Sequence, residues 1–298
     1  MSEPYGGLGG DEPREPRRGG PLAGRGALVT GVSRRAGIGY AIARRLRELG
    51  AAVFVQGYEP HDGEAVNKAS RAPRGRSPQE GAPDDSSQPW AADPAGVPSL
   101  GDEVGAAGHV ECDFVDPAAP AECVDAAVAA LGHVDVLVAN HAMSCDQDLE
   151  HLDAAAIDAT LAVNVRATLL LVEAYAARHD DARGGGRVVL FTSGQHLEPM
   201  TRELPYAASK GAVHALTASL AAHLAPRGIL VNALNPGPTD TGWATPELMR
   251  HELRRLPLGR WGSPEDAARL VGWLASDDAG WVTGQVLTSD GGFSLSRG

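Results

Sequence analysis

Short apolar runs alternate along most of the chain with segments whose apolar residues recur at helical spacing. The runs predict strands at GALVTG, AAVFVQG, HVECDF, VDVLVAN, GRVVLFTSG, GILVNALNPG and GQVLTSDGG. The helical segments are GIGYAIARRLRELG, PAECVDAAVAALG, about Asp153 to Arg178, YAASKGAVHALTASLAAHLA and PEDAARLVGWLAS. This alternation predicts right-handed βαβ units in a single α/β domain. Its parallel sheet would be covered by helices on both faces, as three α/β/α layers.

Two segments break this pattern because they hold few large apolar residues. Residues 1–24 contain seven Gly and four Pro, which predicts a flexible N-terminal arm ahead of a domain at 25–298. Residues 59–99 contain seven Pro, and we expect a surface insertion there. A lid or a partner-binding loop is the alternative for this second segment.

Composition limits the classes of partner. The 298 residues are 43% hydrophobic and carry a net charge of −12, which disfavours nucleic acid and anionic membranes but not an anionic cofactor held locally. Three Cys without CxxC spacing favour a cytoplasmic protein without a disulfide framework. We expect no apolar run of the roughly 18 residues that a membrane span needs. No spacing typical of metal ligands is present, so no metal site is predicted.

The stretch TGVSRRAGIG joins the first strand to the first helix. Gly31 permits a tight turn, Gly37 allows close approach of a pyrophosphate, and Gly39 allows the helix to pack on the strand. The helix N-terminus then offers free N–H groups and a positive dipole to phosphate. A dinucleotide site is therefore predicted here, with a plain βα turn as the alternative.

The residues after the second strand bear on which nicotinamide cofactor binds. An NAD site usually has an acidic residue there, but the strand ends in QGY before the first acid, Glu59. Arg34 and Arg35 stand in the glycine turn, where guanidinium groups could meet a 2′-phosphate. The pattern favours NADP(H) over NAD(H). Arginines that simply face solvent are the alternative.

Tyr206 and Lys210 in YAASK share one face of a predicted helix. A free tyrosine titrates at about 10, and a nearby ammonium would lower that pKa, which suits proton transfer to an alkoxide. A solvated helix face is the alternative.

The motifs together resemble the short-chain dehydrogenase/reductase family. The glycine turn, CDF, VLVAN, VNV, FTS, YxxxK, NPGPTDT and GQVLTSDGGF follow one another in the family's order from about Ala27 to Phe293, apart from 59–99. The longer turn TGVSRRAGIG is similar to that of bacterial 3-oxoacyl-[acyl-carrier-protein] reductase-like members. The resemblance implies a Rossmann-type, doubly wound parallel sheet. It also implies an NAD(P)(H)-dependent oxidoreductase that interconverts a ketone and a secondary alcohol, with tyrosine as general acid/base.

The same resemblance assigns roles to residues. It makes Tyr206 the acid/base, Lys210 the group that lowers its pKa and binds the nicotinamide ribose, and Ser193 the donor to the substrate oxygen. It makes Asn164 the residue that bends its helix and orders a water near the lysine. Together with the turn chemistry, it predicts that the cofactor meets Gly31, Ser33, Arg34, Arg35, Gly37, Ile38, Gly39, Tyr58, Asp113, Phe114, Asn140, Tyr206, Lys210, Pro236, Gly237 and Thr239.

One departure from the family pattern is VANHAMS in place of NNAG. His141 would lie close to the cofactor, either as a packed residue bonded to backbone or as a group that contacts substrate. Further candidates for substrate contact are Gln195, His196 and Trp243, the last in a segment that resembles a mobile lid.

The expected substrate is a small carbonyl or alcohol compound, including carrier-bound 3-oxoacyl thioesters and polyketide-like ketones. YxxxK spacing favours this chemistry over C=C reduction, since enoyl reductases of the family space their Tyr and Lys further apart. A nucleotide-binding sensor or scaffold without turnover is the alternative. The family also implies a homotetramer or homodimer.

Overall fold

The computed structural model describes residues 19–59, 93, 95–144 and 146–296. Most of the predicted arm and insertion, and also Cys145, therefore lie outside the described residues. The strands are β1 (Gly26–Val29), β2 (Ala52–Gly57), β3 (Gly108–Glu111), β4 (Val136–Ala139), β5 (Arg187–Phe191), β6 (Leu230–Asn235) and β7 (Val286–Thr288). The α-helices are α1 (Ile38–Glu48), α2 (Gly96–Val104), α3 (Ala119–Leu131), α4 (Ala154–Leu161), α5 (Ala167–Arg178), α6 (Leu204–Leu224), α7 (Pro246–Leu253) and α8 (Pro264–Leu274).

The seven strands form one parallel sheet in the order β3-β2-β1-β4-β5-β6-β7. This is the predicted doubly wound Rossmann-type sheet, and the α/β fold class is confirmed. The strand order reverses between β1 and β4, so a crevice opens there at the carboxyl ends of the strands, where such sheets bind ligands.

Two apolar layers hold the helices to the sheet. On one face, Ile42 and Leu46 of α1 pack with α2 and α8 against alternate residues of the central strands. On the other face, α3, α5 and α6 cover the sheet, with Leu171 and Tyr175 of α5 fully buried. The central strands β1, β4 and β5 are buried along their whole length, as expected of strands covered on both faces.

Helix α2 was not expected from the sequence, and it corrects the predicted end of the insertion. The helix begins at Gly96, inside the range 59–99, and Val97 is completely buried. The Val97 amide donates to the Glu59 carboxylate at 2.9 Å. The sequence did not predict this helix because Pro98 disfavours a helical assignment. Proline is nevertheless tolerated in the first turn of a helix, where the backbone N–H has no helical partner.

Helices α4 and α5 are joined by a π-helical segment, Ala162–Arg166, so that 154–178 runs as one helix. By length and composition this helix could cross a membrane, contrary to the expectation that no segment would. Half of its most apolar window is buried inside the molecule. It is a core helix between the sheet and its neighbouring helices. Apolar composition alone does not distinguish such a core helix from a membrane-spanning helix.

Candidate active site

The turn between β1 and α1 is built around glycines whose hydrogens face backbone. Gly31 has φ +73°, a left-handed conformation that favours glycine. A Cβ on Gly39 would lie 2.3 Å from the Gly31 carbonyl oxygen. The Asn140 amide at the end of β4 donates to the Thr30 and Gly31 carbonyl oxygens at 3.1 and 3.2 Å. These contacts fix the turn at the crevice.

The start of α1 suits a phosphate. Within its described first turn there is no side-chain cap at Gly37 and no acidic residue. The first N–H groups of the helix therefore keep their hydrogen-bonding capacity and the positive end of the dipole. Backbone donors without a competing carboxylate, next to a turn that only glycines can form, fit the pyrophosphate of a dinucleotide.

The adenosine end differs from the sequence prediction at Arg35. Its guanidinium is engaged by two carboxylates: Nε donates to Glu103 at 2.9 Å, and the terminal nitrogens bond Glu103 and Asp93. Arg34 is half-buried and points its Nη1 towards the Thr241 carbonyl oxygen at 3.5 Å. The two arginines of the turn are therefore in different electrostatic surroundings, which sequence alone could not separate.

The other residues predicted near the adenine and the turn do not all face the crevice. Asp113, half-buried after β3, accepts the Val115 amide at 2.8 Å. Ser33 is buried, whereas Ile38 and Tyr58 are partly exposed beside the turn. Phe114, by contrast, is only 3% exposed and belongs to the core. The positions of Asp113 and Phe114 beside the adenine stay predictions.

His141 is a packed interior residue, which favours the first of its two predicted roles over contact with substrate. Its Nδ1 is 2.8 Å from Thr30 Oγ1, and its Nε2 is 3.1 Å from the Val163 carbonyl oxygen. The Phe114 ring meets it edge-on with centroids 4.6 Å apart. Burial, and secondarily the Lys210 charge, lower the pKa of His141 to about 3. Both ring nitrogens of this neutral imidazole already have hydrogen-bond partners, so neither is available to a substrate.

Tyr206, Ser193 and Lys210 converge where β5 meets α6. The Tyr206 hydroxyl is hydrogen-bonded to the Ser193 side chain. Lys210 is buried, with its Nζ 5.6 Å from the centre of the Tyr206 ring. That ammonium donates to the Phe191 carbonyl oxygen at 2.9 Å. The sequence spacing therefore brings a phenol, a hydroxyl and an ammonium together, as predicted for one helix face and the adjacent strand end.

The pKa of Tyr206 runs against the sequence expectation. Burial raises it to about 12, the hydrogen bond from Ser193 opposes that rise, and the Glu203 carboxylate adds to it. Burial likewise lowers the pKa of Lys210 to about 8. Desolvation is the largest cause for both groups and disfavours both charged forms, whereas the one lowering effect on Tyr206 comes from Ser193.

Asn164 lies in the π-helical segment Ala162–Arg166, and the bend predicted for its helix stays a prediction. Its Oδ1 accepts from the Met143 amide at 2.7 Å, and its Nδ2 donates to the Met143 carbonyl oxygen and to Ser209 Oγ at 2.8 and 2.9 Å. Ser209 in turn donates to the Tyr206 carbonyl oxygen at 2.8 Å. Asn164 thus ties the α4–α5 helix to the backbone of the Tyr206 turn. The predicted water remains a prediction.

The loop after β6 closes the far side of the crevice. Gly237 has φ +61°, and Thr239 Oγ1 donates to the Pro236 carbonyl oxygen at 3.1 Å. Trp243 is half exposed, and its indole N–H donates to the Thr239 carbonyl oxygen at 3.0 Å. The expected lid segment contains α7, whose Leu248 and Met249 pack on the buried Trp261. Arg255 beyond α7 forms an ion pair with Glu198 of the loop after β5.

Gln195 and His196 follow Ser193 in a single 3₁₀ turn. Gln195 Oε1 accepts the Ser193 amide at 3.1 Å, so it orients that backbone, while its Nε2 is buried without a partner among the described residues. The exposed His196 packs its ring on His214 of α6 with centroids 4.6 Å apart. Gln195 therefore keeps donor capacity beside Ser193, whereas His196 is a packing contact at the rim.

Two residues beside the phenol were not identified from the sequence. Ser144 Oγ donates to Glu203 Oε1 at 2.8 Å, and Glu203 is close enough to Tyr206 to raise its pKa. The only sequence signal was an acidic residue three positions before the tyrosine. The contact of Glu203 with Ser144 depends on the loop after β4. The fold brings that loop beside Glu203, where Gln147 and Glu203 form an isolated β-bridge.

Comparison with known proteins gives consistent relatives. Residues 91–294 match the family model described as Enoyl-(Acyl carrier protein) reductase. The chain is 37% identical to the uncharacterized oxidoreductase YjdA of Bacillus subtilis, over 90% of this chain and 96% of that protein. It is 30% identical to a cyclohexanol dehydrogenase of Rhodococcus sp., over 93% and 98% respectively. A short-chain dehydrogenase from Burkholderia cenocepacia, solved in complex with NADP, superposes with a TM-score of 0.72 at 31% identity, covering 92% of this chain and 99% of that one.

Proposed function

The chain belongs to the short-chain dehydrogenase/reductase family, and from that premise we propose that it is an NADP(H)-dependent oxidoreductase that interconverts a ketone and a secondary alcohol. The observation that carries the proposal is the meeting of the Tyr206 phenol, the Ser193 hydroxyl and the Lys210 ammonium at the crevice. A proton donor, a second oxygen-binding donor and a fixed positive charge are what a carbonyl oxygen needs as it becomes an alcohol.

In the reduction direction the chain's own residues supply orientation and the proton. NADPH, when bound along the glycine turn and the start of α1, would supply the hydride to the carbonyl carbon. Ser193 Oγ and Tyr206 Oη would both donate hydrogen bonds to the substrate oxygen. As that oxygen gains negative charge, the Tyr206 O–H bond breaks and its proton passes to the oxygen. The Lys210 ammonium would then stabilise the phenolate that remains. Oxidation of the alcohol reverses these steps.

The preference for NADP(H) is supported by chemistry at the end of β2. Glu59 is the first acid after that strand, and its carboxylate is already used by the Val97 amide rather than being presented to a ribose. The NADP complex of the Burkholderia cenocepacia relative is in keeping with this choice. NAD(H) is the competing cofactor.

The substrate class follows from the residues around the crevice. Trp243 is half exposed and Leu248 and Met249 of α7 pack against Trp261, so the α7 segment is apolar, while Ser144 and Glu203 form a polar pair near the phenol. The dehydrogenase relative that is named for cyclohexanol acts, by that name, on a secondary alcohol. We therefore propose an apolar or cyclic ketone as the first class to test, with carrier-bound 3-oxoacyl thioesters as the second.

The proposal is tested by following NADPH oxidation with a panel of cyclic ketones, 3-oxoacyl thioesters and enoyl thioesters. We expect turnover of ketones, and a Tyr206→Phe variant should lose about 10²–10⁴-fold in kcat because general acid catalysis contributes that much. Calorimetry of NADPH binding by the variant separates loss of the proton donor from loss of a cofactor contact. Full turnover by Tyr206→Phe would refute the assigned acid. Cofactor binding without turnover of any compound would favour the sensor alternative, and turnover of enoyl substrates alone would favour C=C reduction.

A further inference from the structure

The Arg35 guanidinium and the two carboxylates around it form a cluster beside the glycine turn. Arg35 Nε donates to Glu103 Oε2 at 2.9 Å, and Nη2 and Nη1 bond Glu103 Oε1 and Asp93 Oδ2 respectively. Tyr40 of α1 also donates to Glu103, at 3.3 Å. One guanidinium and two carboxylates give the cluster a formal charge of −1.

The cluster stands where an adenosine 2′-phosphate would be read. The turn that carries Arg35 abuts the end of β2, since the Val32 amide donates to the Gln56 carbonyl oxygen at 2.9 Å. In dinucleotide-binding sheets the end of this strand faces the ribose 2′ position, and a nearby arginine accommodates a 2′-phosphate. The Asp93 amide also donates to the Ser33 carbonyl oxygen at 3.2 Å, so the segment before α2 is joined to the turn by backbone as well as by side chain.

We propose that Asp93 and Glu103 are specificity-determining residues that withhold Arg35 from the 2′-phosphate and so weaken the preference for NADP(H) over NAD(H). A phosphate approaching this cluster meets a net negative charge. Three of the five N–H groups of Arg35 are already used, and a bidentate contact of the phosphate with its Nε–Nη2 edge requires Glu103 to be displaced. A ligand that lacks the 2′-phosphate does not meet this repulsion and does not need Arg35 to release a carboxylate. This inference rests on the proposed use of a nicotinamide dinucleotide, and it adds a feature of this chain that opposes the chosen cofactor.

The test measures binding alone, with two ligands that differ only in the 2′-phosphate: adenosine 2′,5′-bisphosphate and adenosine 5′-monophosphate. Calorimetry on the full chain compares wild type with Asp93→Asn, Glu103→Gln and the double variant. We expect the dissociation constant for the bisphosphate to fall about tenfold in the double variant, because a charge-assisted hydrogen bond becomes available to it. The constant for the monophosphate should stay within about twofold, because it makes no such bond.

Arg35 itself supplies the second arm of the experiment. Arg35→Gln should change bisphosphate affinity little in the wild-type background, where the guanidinium is already committed to carboxylates. In the Asp93→Asn/Glu103→Gln background, the same change should abolish the gain. If the gain in bisphosphate affinity comes from release of Arg35, it disappears when Arg35 is removed. If it comes only from the loss of negative charge, it remains without Arg35.

Glu265→Gln is the matched control. Glu265 pairs with Arg44 of α1 at 2.9 Å, with side-chain exposures of 42% and 48% that resemble those of Glu103 and Arg35 at 40% and 43%. This control should leave the affinity for both ligands unchanged.

The inference is overturned if the double variant binds the bisphosphate no tighter than wild type, if both ligands gain alike, or if wild type and variants bind neither ligand. Each single variant gives a separate reading if the double variant does not fold. The outcome is independent of turnover: a failed Tyr206→Phe test removes the proposed reaction, whereas this binding experiment judges only the selection of the adenosine phosphate.

Discussion

Lys210 shows how burial sets the chemistry of a single residue. The YxxxK spacing correctly predicted that its ammonium would lie near the phenol, at 5.6 Å from the ring centre. The spacing could not predict that desolvation would dominate both groups, because burial depends on β5 and on the loops that cover α6. The sequence predicted that the ammonium lowers the pKa of the phenol, whereas in the fold burial disfavours the charged forms of both groups.

A pH profile follows from these two values. With the pKa of Lys210 at about 8 and that of Tyr206 at about 12, the phenol keeps its proton through the alkaline range while the lysine loses its charge first. We expect kcat for carbonyl reduction to fall as pH rises through about 8. The measurement is initial rates at constant ionic strength, with circular dichroism checking that the fold persists. A flat profile up to pH 10 would show that the Lys210 charge is dispensable.

Because His141 is buried as a neutral imidazole, we expect part of the free energy of unfolding to be lost at acidic pH. Its pKa is lowered from 6.5 to about 3 in the folded protein, so below 6.5 the unfolded chain binds more protons than the native one. Stability from this group is therefore fully present above pH 6.5 and is lost as pH falls towards 3.

The measurement for His141 is the free energy of unfolding by urea at several pH values. We expect a shallower slope between pH 6.5 and 4 for His141→Ala than for wild type, because the variant lacks the group that takes up the proton. His223→Ala, which removes an exposed histidine of α6, should keep the wild-type slope. Identical slopes for His141→Ala and wild type would contradict the assignment.

At the scale of elements, the β1 turn and α1 form the part of the site that the sequence predicted most completely. Within this turn, a Cβ added to Gly39 would lie 2.3 Å from a backbone atom and a Cβ added to Gly31 would lie 2.8 Å from one, so both positions require glycine. Helix α2 and the π-helical segment were not predicted. The first was hidden by Pro98, and the second is a local widening of the helix that leaves no distinct apolar period in the sequence.

The turn gives a stability prediction. Gly39→Ala would put a methyl group 2.3 Å from the Gly31 carbonyl oxygen, so backbone must move, and we expect a loss of about 1–3 kcal/mol with weaker nucleotide binding. Urea unfolding and calorimetry measure the two effects. Gly211→Ala in α6 is the control, since no atom lies within 4 Å of its added Cβ, and helix propensity favours alanine by about 1 kcal/mol. Equal stability of Gly39→Ala and wild type would contradict this account of the turn.

At the scale of the whole molecule, the α/β class and the parallel sheet were predictable because buried parallel strands are continuous apolar runs. The arrangement of charges across the crevice was not, since Glu103, Glu203 and Arg255 find their partners only after the chain folds. The cytoplasmic location and the oligomeric state remain predictions. The resemblance implies a homotetramer or homodimer, and large apolar side chains stand on the described surface, with Trp281 94% and Leu295 84% exposed.

Light scattering on the purified chain tests the assembly. We expect a mass that is two or four times the 30.9 kDa of one chain, as the family resemblance implies. Trp281→Arg should shift the mass towards one chain if this surface lies in the interface. A single-chain mass for wild type at all concentrations would contradict the expected oligomer.

The hydrogen bond between Glu59 and Val97 joins residues that are 38 apart in the sequence. This bond therefore holds the end of β2 and the start of α2 together at one place. The entropy of closing such a loop changes by only about 0.6 kcal/mol for each doubling of its length. Loop closure alone should therefore oppose a foreign peptide inserted between Glu59 and Asp93 only weakly, and a protein engineer could use this position for such a graft.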